Sequence, residues 1–321
     1  MIVAGDIGGT KAKLALFEEN LEPKQIATVP SRKYPNLHTI IREYLEQCGN
    51  PEVSAAVFAL PGPVENGICA TTNLPWVIDS KVLATECGIP AIHLLNDLEA
   101  NAYGIETLPK ESLEELSPGR GKCVGNRAVV SPGTGLGEAG IFWDGKSYHP
   151  FACEGGHSDF SPQDELQVKL FTYLKERFGH VSYERVLSGP GLYNLYQFFI
   201  EVMGREQSSE IAEKMKEEDP GKVITHHALN GESELCSETL DLFISILGAE
   251  VGNCGLKFMA WGGIYLGGGI PPKILPKLRE SRFLEAVTSK GRMSSVVRKM
   301  PVHVILDDKT ALRGAAHFVI S

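Results

Sequence analysis

The stretch Ile2-Val-Ala-Gly-Asp-Ile-Gly-Gly-Thr10 leads into a second apolar run, Ala12-Lys-Leu-Ala-Leu-Phe17, so a short glycine and threonine turn separates two segments of strand length. The same arrangement recurs at Ala128-Val-Val-Ser-Pro-Gly-Thr-Gly-Leu-Gly137, which is followed by Ala139-Gly-Ile-Phe-Trp143. Apolar β-type runs on both sides of a Gly-containing turn predict a β-hairpin. Glycine permits positive φ and leaves backbone N–H groups open to a ligand, which suits a polyphosphate. The sequence therefore predicts two phosphate-binding hairpins that grip one nucleotide between two domains.

The composition is that of an ordinary globular protein. The chain has 321 residues, of which 43% are hydrophobic and 22% charged, and this length favours two domains. Its 40 acidic and 31 basic residues give a formal charge of -9. That charge repels both the phosphate backbone of nucleic acids and the anionic surface of membranes. We therefore expect neither a nucleic acid nor a membrane as a partner.

Cysteine usage and the absence of targeting signals both favour the cytoplasm. The seven cysteines are scattered, form no C-x-x-C pair and are odd in number, so we expect no disulfide framework. The N-terminus has no basic region before Asp6, and charged residues interrupt the most apolar later stretch, from Leu242 to Gly269. We accordingly expect no signal peptide and no membrane-spanning helix.

The first hundred residues alternate between helical and strand patterns. Asn36 is a potential N-cap of a helix whose apolar positions share one face and which stops at Gly49. Buried strands are predicted at 53–60 and 91–95, which indicates α/β layering. Further along, the pattern predicts helices near 163–178, 191–202 and 238–261, a polar stretch at 204–237, a strand at 302–306, and a helix from Lys309 that returns to the first domain.

Two aspartates lie where ligands of α/β proteins gather. Asp97 follows a predicted strand beside Asn96, and its position suits either an acid facing a ligand or a cap of the following helix. Asp6 precedes Gly8 and Gly9, where it could hold the water shell of Mg²⁺ or only form a turn. These residues alone leave both alternatives open.

Hydroxyl and glycine residues complete the predicted nucleotide site. Thr10 and Thr134 could donate their hydroxyls to phosphate oxygens, and Gly133 and Gly135 belong to the same turn as Thr134. Gly267, Gly268 and Gly269 would form a bare backbone surface on which adenine and ribose could pack flat. A helix that begins at proline is predicted to follow them.

The order of these motifs resembles the superfamily of actin, hexokinase and the heat-shock ATPases. The pieces are Asp6-Ile-Gly-Gly-Thr10, Gly133-Thr-Gly-Leu-Gly137, Leu266-Gly-Gly-Gly-Ile-Pro271 and Leu312-Arg-Gly-Ala-Ala316. Within it the chain resembles the bacterial glucokinase family, from about Val3 to Ala316, through Asn73-Leu-Pro-Trp76, Leu95-Asn-Asp97, Glu154-Gly-Gly-His157 and Glu184-Arg-Val-Leu-Ser-Gly-Pro-Gly191.

This resemblance implies the two-domain, actin-like ATPase fold of the ribonuclease H type. A small α/β domain would comprise residues 1–107 plus about 300–321, and a larger α+β domain residues 108–299, with ATP and sugar in the cleft between them. It also implies a cytoplasmic enzyme that transfers the γ-phosphoryl group of ATP to the 6-hydroxyl of glucose with Mg²⁺, and a homodimer.

The resemblance also implies roles for individual residues. Asp97 would be the catalytic base, and the sugar would be bound by Asn73, Asn96, Glu154, His157 and Glu184. Related kinases with a zinc-bound histidine carry a cysteine cluster after it, and none follows His157, so we expect no zinc.

The sequence also allows two other functions, an oxidoreductase and a non-catalytic sugar sensor. Gly135-Leu-Gly-Glu-Ala-Gly140 satisfies the dinucleotide fingerprint G-x-G-x-x-G, which must open a helix. The residues that follow Gly140 are β-branched and aromatic, so we expect a strand instead, which disfavours an oxidoreductase. A non-catalytic sugar sensor of the same fold is the remaining alternative.

Overall fold

The computed structural model describes residues 1–71, 73–121 and 123–320, and the chain forms two compact units. The first consists of Met1–Ser112, His149–Ala152 and Asp307–Ser321, and the second of Leu113–Tyr148 and Cys153–Leu306. The chain returns to the first unit at Asp307 rather than near residue 300, because the strand at Val302–Ile305 pairs within the sheet of the second unit.

The first unit is built on a twisted sheet with helices on both faces. Its strands and first helices are β1 (Ile2–Ile7), β2 (Ala12–Phe17), β3 (Lys24–Val29), α1 (Leu37–Gln47), β4 (Ala55–Leu60), β5 (Val64–Glu65), β6 (Ile68–Ala70), β7 (Val77–Asp79), α2 (Ser80–Cys87), β8 (Ile92–Asn96) and α3 (Asp97–Gly104). The main sheet has the order β3-β2-β1-β4-β8, and β5, β6 and β7 form a small separate sheet. Strand β1 pairs antiparallel with β2 and parallel with β4, which pairs parallel with β8.

Helix α1 confirms the sequence prediction and its physical basis. The Asn36 side chain accepts a hydrogen bond from the Thr39 amide at 2.9 Å, as an N-cap does. The helix buries Leu37, Ile40 and Ile41 on the face that it turns to the sheet.

The second unit repeats this plan with more helices. Its elements are β9 (Leu113–Ser117), β10 (Arg127–Pro132), β11 (Leu136–Trp143), α4 (Glu165–Phe178), α5 (Gly189–Glu201), α6 (Ser209–Glu217), α7 (Pro220–Leu229), α8 (Glu234–Phe258), β13 (Ile264–Leu266), α9 (Leu275–Leu278), α10 (Ser281–Thr288), α11 (Ser294–Val297) and β14 (Val302–Ile305). Strand β12 (Tyr148–Cys153) has only its two end residues in this unit, since His149–Ala152 belong to the first. The sheet order is β12-β11-β10-β13-β14-β9. Here β10 pairs antiparallel with β11 and parallel with β13, which pairs parallel with β14.

Both units therefore place an antiparallel hairpin beside two parallel strands in the same order. In the first unit the core element is β2-β1-β4-β8, and in the second it is β11-β10-β13-β14. Because parallel strands end at one edge of a sheet, each unit presents its glycine turn at the edge where ligands of such sheets bind.

The helical part of the second unit differs from the sequence prediction in two places. The polar stretch 204–237 contains the helices α6 and α7, which bury only one side against the unit, so their exposed faces hide the periodicity. After the three glycines, the chain forms turns and only the short helix α9 rather than a helix that begins at the proline.

Helix α8 is long and apolar enough to cross a membrane by length and composition. However, 78% of its most apolar window is buried inside the unit. Ser233 caps the helix by accepting a hydrogen bond from the Cys236 amide at 3.3 Å, so it starts four residues earlier than its apolar pattern indicated. This is the pattern of a core helix.

The C-terminal helix α12 (Thr310–Ile320) packs closely on α3 within the first unit. A β-carbon built on Gly314 would overlap the carbonyl oxygen of Ala100, and one built on Gly104 would overlap that of Thr310. The two helices approach so closely that only glycine fits at both positions.

Candidate active site

The first glycine turn joins β1 to β2 as a tight hairpin, as predicted. The Gly8 amide donates a hydrogen bond to the Lys11 carbonyl at 2.9 Å. Ser31, which lies outside the turn, stabilises it through two hydrogen bonds. Its hydroxyl donates to the Gly8 carbonyl at 2.7 Å, and its amide donates to the Thr10 carbonyl at 3.1 Å. Thr10 is exposed and Gly8 and Gly9 are half-buried, so backbone and hydroxyl donors of this turn are within reach of a ligand.

The reason for glycine in this turn differs from the one expected. Neither Gly8 nor Gly9 has a positive φ. Instead, a β-carbon built on Gly9 would lie 2.5 Å from the Cβ of Asn73. Glycine is required because another loop approaches the turn, and this approach brings Asn73 to the predicted phosphate site.

Asn73 is exposed on a loop that is shaped by Thr71, a residue to which sequence analysis gave no role. The Thr71 side chain is buried, and its hydroxyl lies 2.8 Å from the Leu74 carbonyl and 3.1 Å from that of Trp76. The Thr71 amide also donates to the Trp76 carbonyl at 3.0 Å. These bonds fold the loop so that Asn73 projects from it.

Asp6 lies near the end of β1 in a charged environment that the sequence did not reveal. It is directly opposite Lys13 in the hairpin, and the Lys13 ammonium pairs with the Asp308 carboxylate at 2.8 Å. Burial raises the pKa of the Asp6 carboxyl, the positive charge of Lys13 opposes that shift, and Asp308 adds to it. A half-buried carboxylate that lacks full compensation fits a position beside a hydrated cation.

Asn96 and Asp97 divide between them the two roles that the sequence left open. Asn96, not Asp97, is the N-cap of α3, because its Oδ1 accepts hydrogen bonds from the amides of Leu98 at 2.9 Å and Glu99 at 3.3 Å. The Asn96 Nδ2 donates to the Gly62 carbonyl at 3.2 Å, and the side chain is buried. Asp97 is then the first residue of the helix and is half-buried. Its carboxylate is not needed as the cap.

The sheet brings Asp6 and Asp97 to one edge of the first unit. In the strand register Asp6 is opposite Ala59 of β4, and Ala59 is opposite Leu95 of β8. At about 4.8 Å between neighbouring strands, the Cα of Asp6 lies about 10 Å from that of Leu95, two residues before Asp97. The glycine turn, Asn73 and Asp97 therefore share the carboxyl edge of the parallel strands.

The second glycine turn, in the second unit, is anchored by Glu184. The Gly133 amide donates to the Gly135 carbonyl at 2.8 Å, and the Gly133 carbonyl accepts from the Gly189 amide at 2.8 Å. The Glu184 Oε2 accepts from the Leu136 amide at 2.9 Å, and a β-carbon built on Gly135 would lie 2.5 Å from that oxygen. One carboxylate oxygen of Glu184 thus fixes the turn, in addition to the sugar contact predicted for it.

The predicted adenosine surface lies beside this turn. The Gly267 amide donates to the Val130 carbonyl at 2.9 Å, and Gly268 has a φ of 79°, which disfavours any side chain. A β-carbon built on Gly133 would lie 3.9 Å from the Gly269 amide nitrogen, while one on Gly269 itself would meet nothing within 4 Å. Thr134, between the turn glycines, is exposed. A flat open backbone surface therefore adjoins the phosphate turn.

Gly189 also contacts the second turn, although no sequence pattern assigned it a role. It opens α5, whose N-cap is Ser188, and this Ser-Gly-Pro-Gly start is a signal that could have located it. Its amide bond to Gly133 ties the N-terminus of α5 to the second turn.

The predicted sugar residues of the second unit gather around the start of β11. Glu154 precedes the helical turn Gly155–His157, which ends at His157 and packs against the turn Tyr183–Arg185 containing Glu184. The Tyr183 amide donates to the Ser158 carbonyl at 3.1 Å and holds the two turns together.

The segment from Glu154 to His157 exposes its polar side chains to solvent and packs its backbone against the β10–β11 hairpin. The His157 Nε2 lies 3.9 Å from the Glu154 Oε2, and the two side chains are 60% and 62% exposed. A β-carbon built on Gly156 would overlap the Leu136 carbonyl oxygen, so this glycine lets the segment lie directly on the hairpin. Glu154, His157 and Glu184 therefore lie on two adjoining turns.

The dinucleotide interpretation is wrong. Gly140 lies inside β11, which continues to Trp143, so the G-x-G-x-x-G pattern does not open a helix.

Comparison with known proteins agrees with this architecture. The family model for glucokinase matches residues 3–321. The glucokinase of Nostoc punctiforme is 38% identical over 98% of this chain and 98% of its own length. The solved glucokinase from an Antarctic psychrotroph is 31% identical, with a TM-score of 0.84 over 99% of this chain and 98% of that chain. A glucokinase from Balamuthia mandrillaris, solved in complex with glucose, has a TM-score of 0.84 at 20% identity, over 99% of this chain and 93% of that chain. The expected actin-like fold is confirmed, and the chain belongs to the glucokinase family.

Proposed function

We propose that the protein is a glucokinase, which transfers the γ-phosphoryl group of ATP to the 6-hydroxyl of glucose and gives glucose 6-phosphate and ADP. Membership of the glucokinase family supports this function. The structural observation that carries it is the position of Asp97. The residue begins α3 at the sheet edge that also holds the Asp6–Thr10 turn, and Asn96 relieves it of the capping role.

Asp97 is proposed as the general base. A sugar hydroxyl is a weak nucleophile, and a carboxylate within hydrogen-bond reach can orient it and accept its proton as the new P–O bond forms. The N-terminus of α3 favours a negative charge at this position, and the Leu98 amide, which is shared with the Asn96 Oδ1, also donates to the Asp97 Oδ1 at 2.9 Å. The carboxylate is thus held in one orientation before the sugar binds.

The nucleotide is proposed to bind through the two glycine turns. Thr134 and the Gly135 amide would donate to its phosphates, Gly133, whose amide is bonded to the Gly135 carbonyl, would line the same turn, and the bare surface at 267–269 would contact the adenosine. In the first unit, Gly9 and Thr10 would donate to the terminal phosphate, and Gly8, whose amide is bonded to the Lys11 carbonyl, would let the phosphate approach the turn. Fixed donors of this kind stabilise the charge that spreads over the transferring phosphoryl group.

Asp6 is proposed as the residue that holds Mg²⁺ through the water shell of the ion. The raised pKa of its half-buried carboxyl supports this assignment, since a nearby cation would offset the cost of ionisation there. When bound, Mg²⁺ would neutralise charge on the phosphate oxygens.

The sugar is proposed to be recognised by Asn73 and Asn96 of the first unit and by Glu154, His157 and Glu184 of the second. Carboxylates, amides and an imidazole can pair with several hydroxyls of one hexose, and a sugar that leaves such groups unpaired is rejected. The close contact of the Gly155–His157 and Tyr183–Arg185 turns supports a common role for the last three.

The experiment that tests this function is a coupled assay of ADP release by the purified protein with Mg-ATP. Glucose, mannose, fructose and N-acetylglucosamine are compared at one ATP concentration, and other nucleoside triphosphates are then compared with glucose. We expect the highest kcat/KM with glucose and ATP. Saturable glucose binding by calorimetry without ADP release would instead identify a non-catalytic sugar sensor.

We further propose that the protein acts in the cytoplasm, at the entry of glucose into glycolysis, as a homodimer. The seven free cysteines support a reducing compartment. Sedimentation equilibrium measures the dimer directly.

A further inference from the structure

A buried acidic cluster lies beneath the segment that carries the proposed sugar ligands. Glu138 is on β11, two residues after Leu136, and Glu250 and Cys254 are one helical turn apart on α8. The three side chains are at most 1% exposed, and their ligand atoms all lie within 4.8 Å of one another. The reaction proposed above gives none of them a role.

Within this cluster Glu250 has a full set of partners. The Lys257 ammonium lies 2.8 Å from its Oε1, and the Asn253 amide lies 2.8 Å from its Oε2. The Cys254 thiol also donates to Oε1, at 3.5 Å. A cation and two neutral donors suit an ionised carboxylate.

Glu138 is in the opposite situation. Its Oε1 has no hydrogen-bond partner within the described residues, and the negative charge of Glu250 lies close by. Burial and that charge raise the pKa of the Glu138 carboxyl to about 7. Because a buried carboxylate is costly when one oxygen lacks a partner and a second negative charge lies close by, the neutral acid is the favoured form up to neutral pH.

Within the described part of the chain, the other groups around Glu138 supply no cation besides Lys257, whose charge lowers the pKa of Glu138 but does not cancel the rise. The Cys153 thiol donates to the backbone carbonyl of Glu138 at 3.4 Å, and burial raises its pKa so that it stays neutral. Lys290 points its ammonium at the Ala249 carbonyl and the Asn253 side chain, at 2.7 and 2.8 Å. The Tyr183 hydroxyl accepts from Asn253 at 3.0 Å.

The carboxyl group of Glu138 also touches the sugar segment directly. A β-carbon built on Gly155 would overlap the Glu138 Oε2 and lie 3.2 Å from the Glu138 Cβ. Gly155 is the residue after Glu154 and begins the turn that ends at His157. The backbone that carries both proposed sugar ligands therefore rests on the Glu138 carboxyl.

We propose that Glu138 is a positioning residue for sugar recognition: in its neutral form it seats the backbone of Gly155, and loss of its proton displaces the segment that carries Glu154 and His157 and weakens hexose binding. This proposal rests on the proposed function for the identity of the ligand. It makes hexose affinity fall as pH rises above neutrality, through a group that does not touch the sugar.

A metal ion is the alternative occupant of a cluster of two carboxylates and a thiol. The Lys257 ammonium already supplies a positive charge to Glu250 at 2.8 Å, and burial raises the pKa of the Cys254 thiol well above its usual value. A proton on Glu138 therefore accounts for the cluster with fewer charges than a divalent ion and a thiolate.

The kinetic test compares the wild type with Glu138→Gln, which keeps the size and neutrality of the protonated acid, and with Glu138→Ala, which removes the contact to Gly155. If only the neutral form binds sugar well, the wild-type KM for glucose should rise by about tenfold between pH 7 and 8.5. Glu138→Gln should abolish most of that rise, and Glu138→Ala should raise KM at every pH. Glu154→Gln is the matched control, which raises KM but leaves the pH dependence intact. Equal pH profiles of KM in the wild type and Glu138→Gln would overturn the proposal.

A second measurement is independent of the reaction. Hydrogen exchange of the backbone amides of 154–158 is compared between the wild type and Glu138→Gln, without sugar, at pH 6 and 8.5. Faster exchange in the wild type at pH 8.5 only would support the coupling even if no hexose were phosphorylated, in which case the proposed function alone would fail. Equal exchange rates in the wild type and Glu138→Gln at each of the two pH values would refute the positioning role. One equivalent of zinc in the purified wild type that Glu138→Gln lacks would also refute it.

Discussion

Replacement of Glu138 by glutamine should change how the stability of the second unit depends on pH. A free glutamate has an ordinary pKa of 4.5, and burial with the Glu250 charge raises that of Glu138 to about 7. Between these values the folded protein holds a proton that the unfolded chain releases, so the free energy of unfolding falls as pH rises. At about 1.4 kcal/mol per pH unit, the full loss is about 3 kcal/mol. This loss of stability is absent below pH 4.5 and complete above pH 7.

Glu138→Gln cannot lose this proton. The free energy of unfolding of the variant minus that of the wild type should therefore grow by about 2.5 kcal/mol from pH 5 to pH 8, because only the wild type loses stability over this range. Urea unfolding followed by tryptophan fluorescence in a Trp76→Phe background reports on the second unit, because Trp143 and Trp261 are then the only tryptophans. Glu154→Gln is the control, since its side chain is 62% exposed and its replacement should leave the pH dependence unchanged. If the wild type and Glu138→Gln lost stability in parallel, Glu138 would not be a buried neutral acid.

Three further substitutions test a helix contact, a helix cap and the second glycine turn. Gly314→Ala places a β-carbon on the Ala100 carbonyl oxygen, and we expect it to lower the free energy of unfolding of the first unit by about 2 kcal/mol or more in urea titration. Asn36→Ala removes the cap of α1 and should lower it by about 1 kcal/mol, with no change in kcat. Gly135→Ala places a β-carbon against the Glu184 carboxylate and should raise the KM for ATP by about tenfold in initial-rate assays, whereas an unchanged KM would exclude the turn from nucleotide binding.

The hairpins and the first helix could be predicted from the sequence because local rules decide them. An apolar run, a glycine turn and a second apolar run leave few alternatives to a hairpin, and Asn36 followed by one apolar face leaves few to a helix. The family motifs added the order of the parts. What the sequence could not give was the reason for each glycine: Gly9 serves a contact with Asn73, which is distant in the chain.

The charge environment of the candidate site also lay beyond the sequence. Lys13 and Asp308 form an ion pair near Asp6 although 295 positions separate them, and no local pattern indicates such a pair. The buried acid Glu138 looked like one polar residue in a strand, since nothing in its neighbourhood announces Glu250 on a helix more than a hundred positions later. Asn96 was recognised beside Asp97, but its function as the cap of α3 became clear only from the hydrogen bonds.

The role of Asp97 as the base is tested most directly by Asp97→Asn, with glucose binding measured by calorimetry and turnover by ADP release. Asparagine keeps the size of the side chain and can still orient a hydroxyl, but it cannot accept the proton. We predict that the Kd for glucose changes by less than about threefold, while kcat falls by about 10²- to 10⁴-fold. A variant that turned over glucose at nearly the wild-type rate would contradict the assignment of Asp97 as the catalytic base.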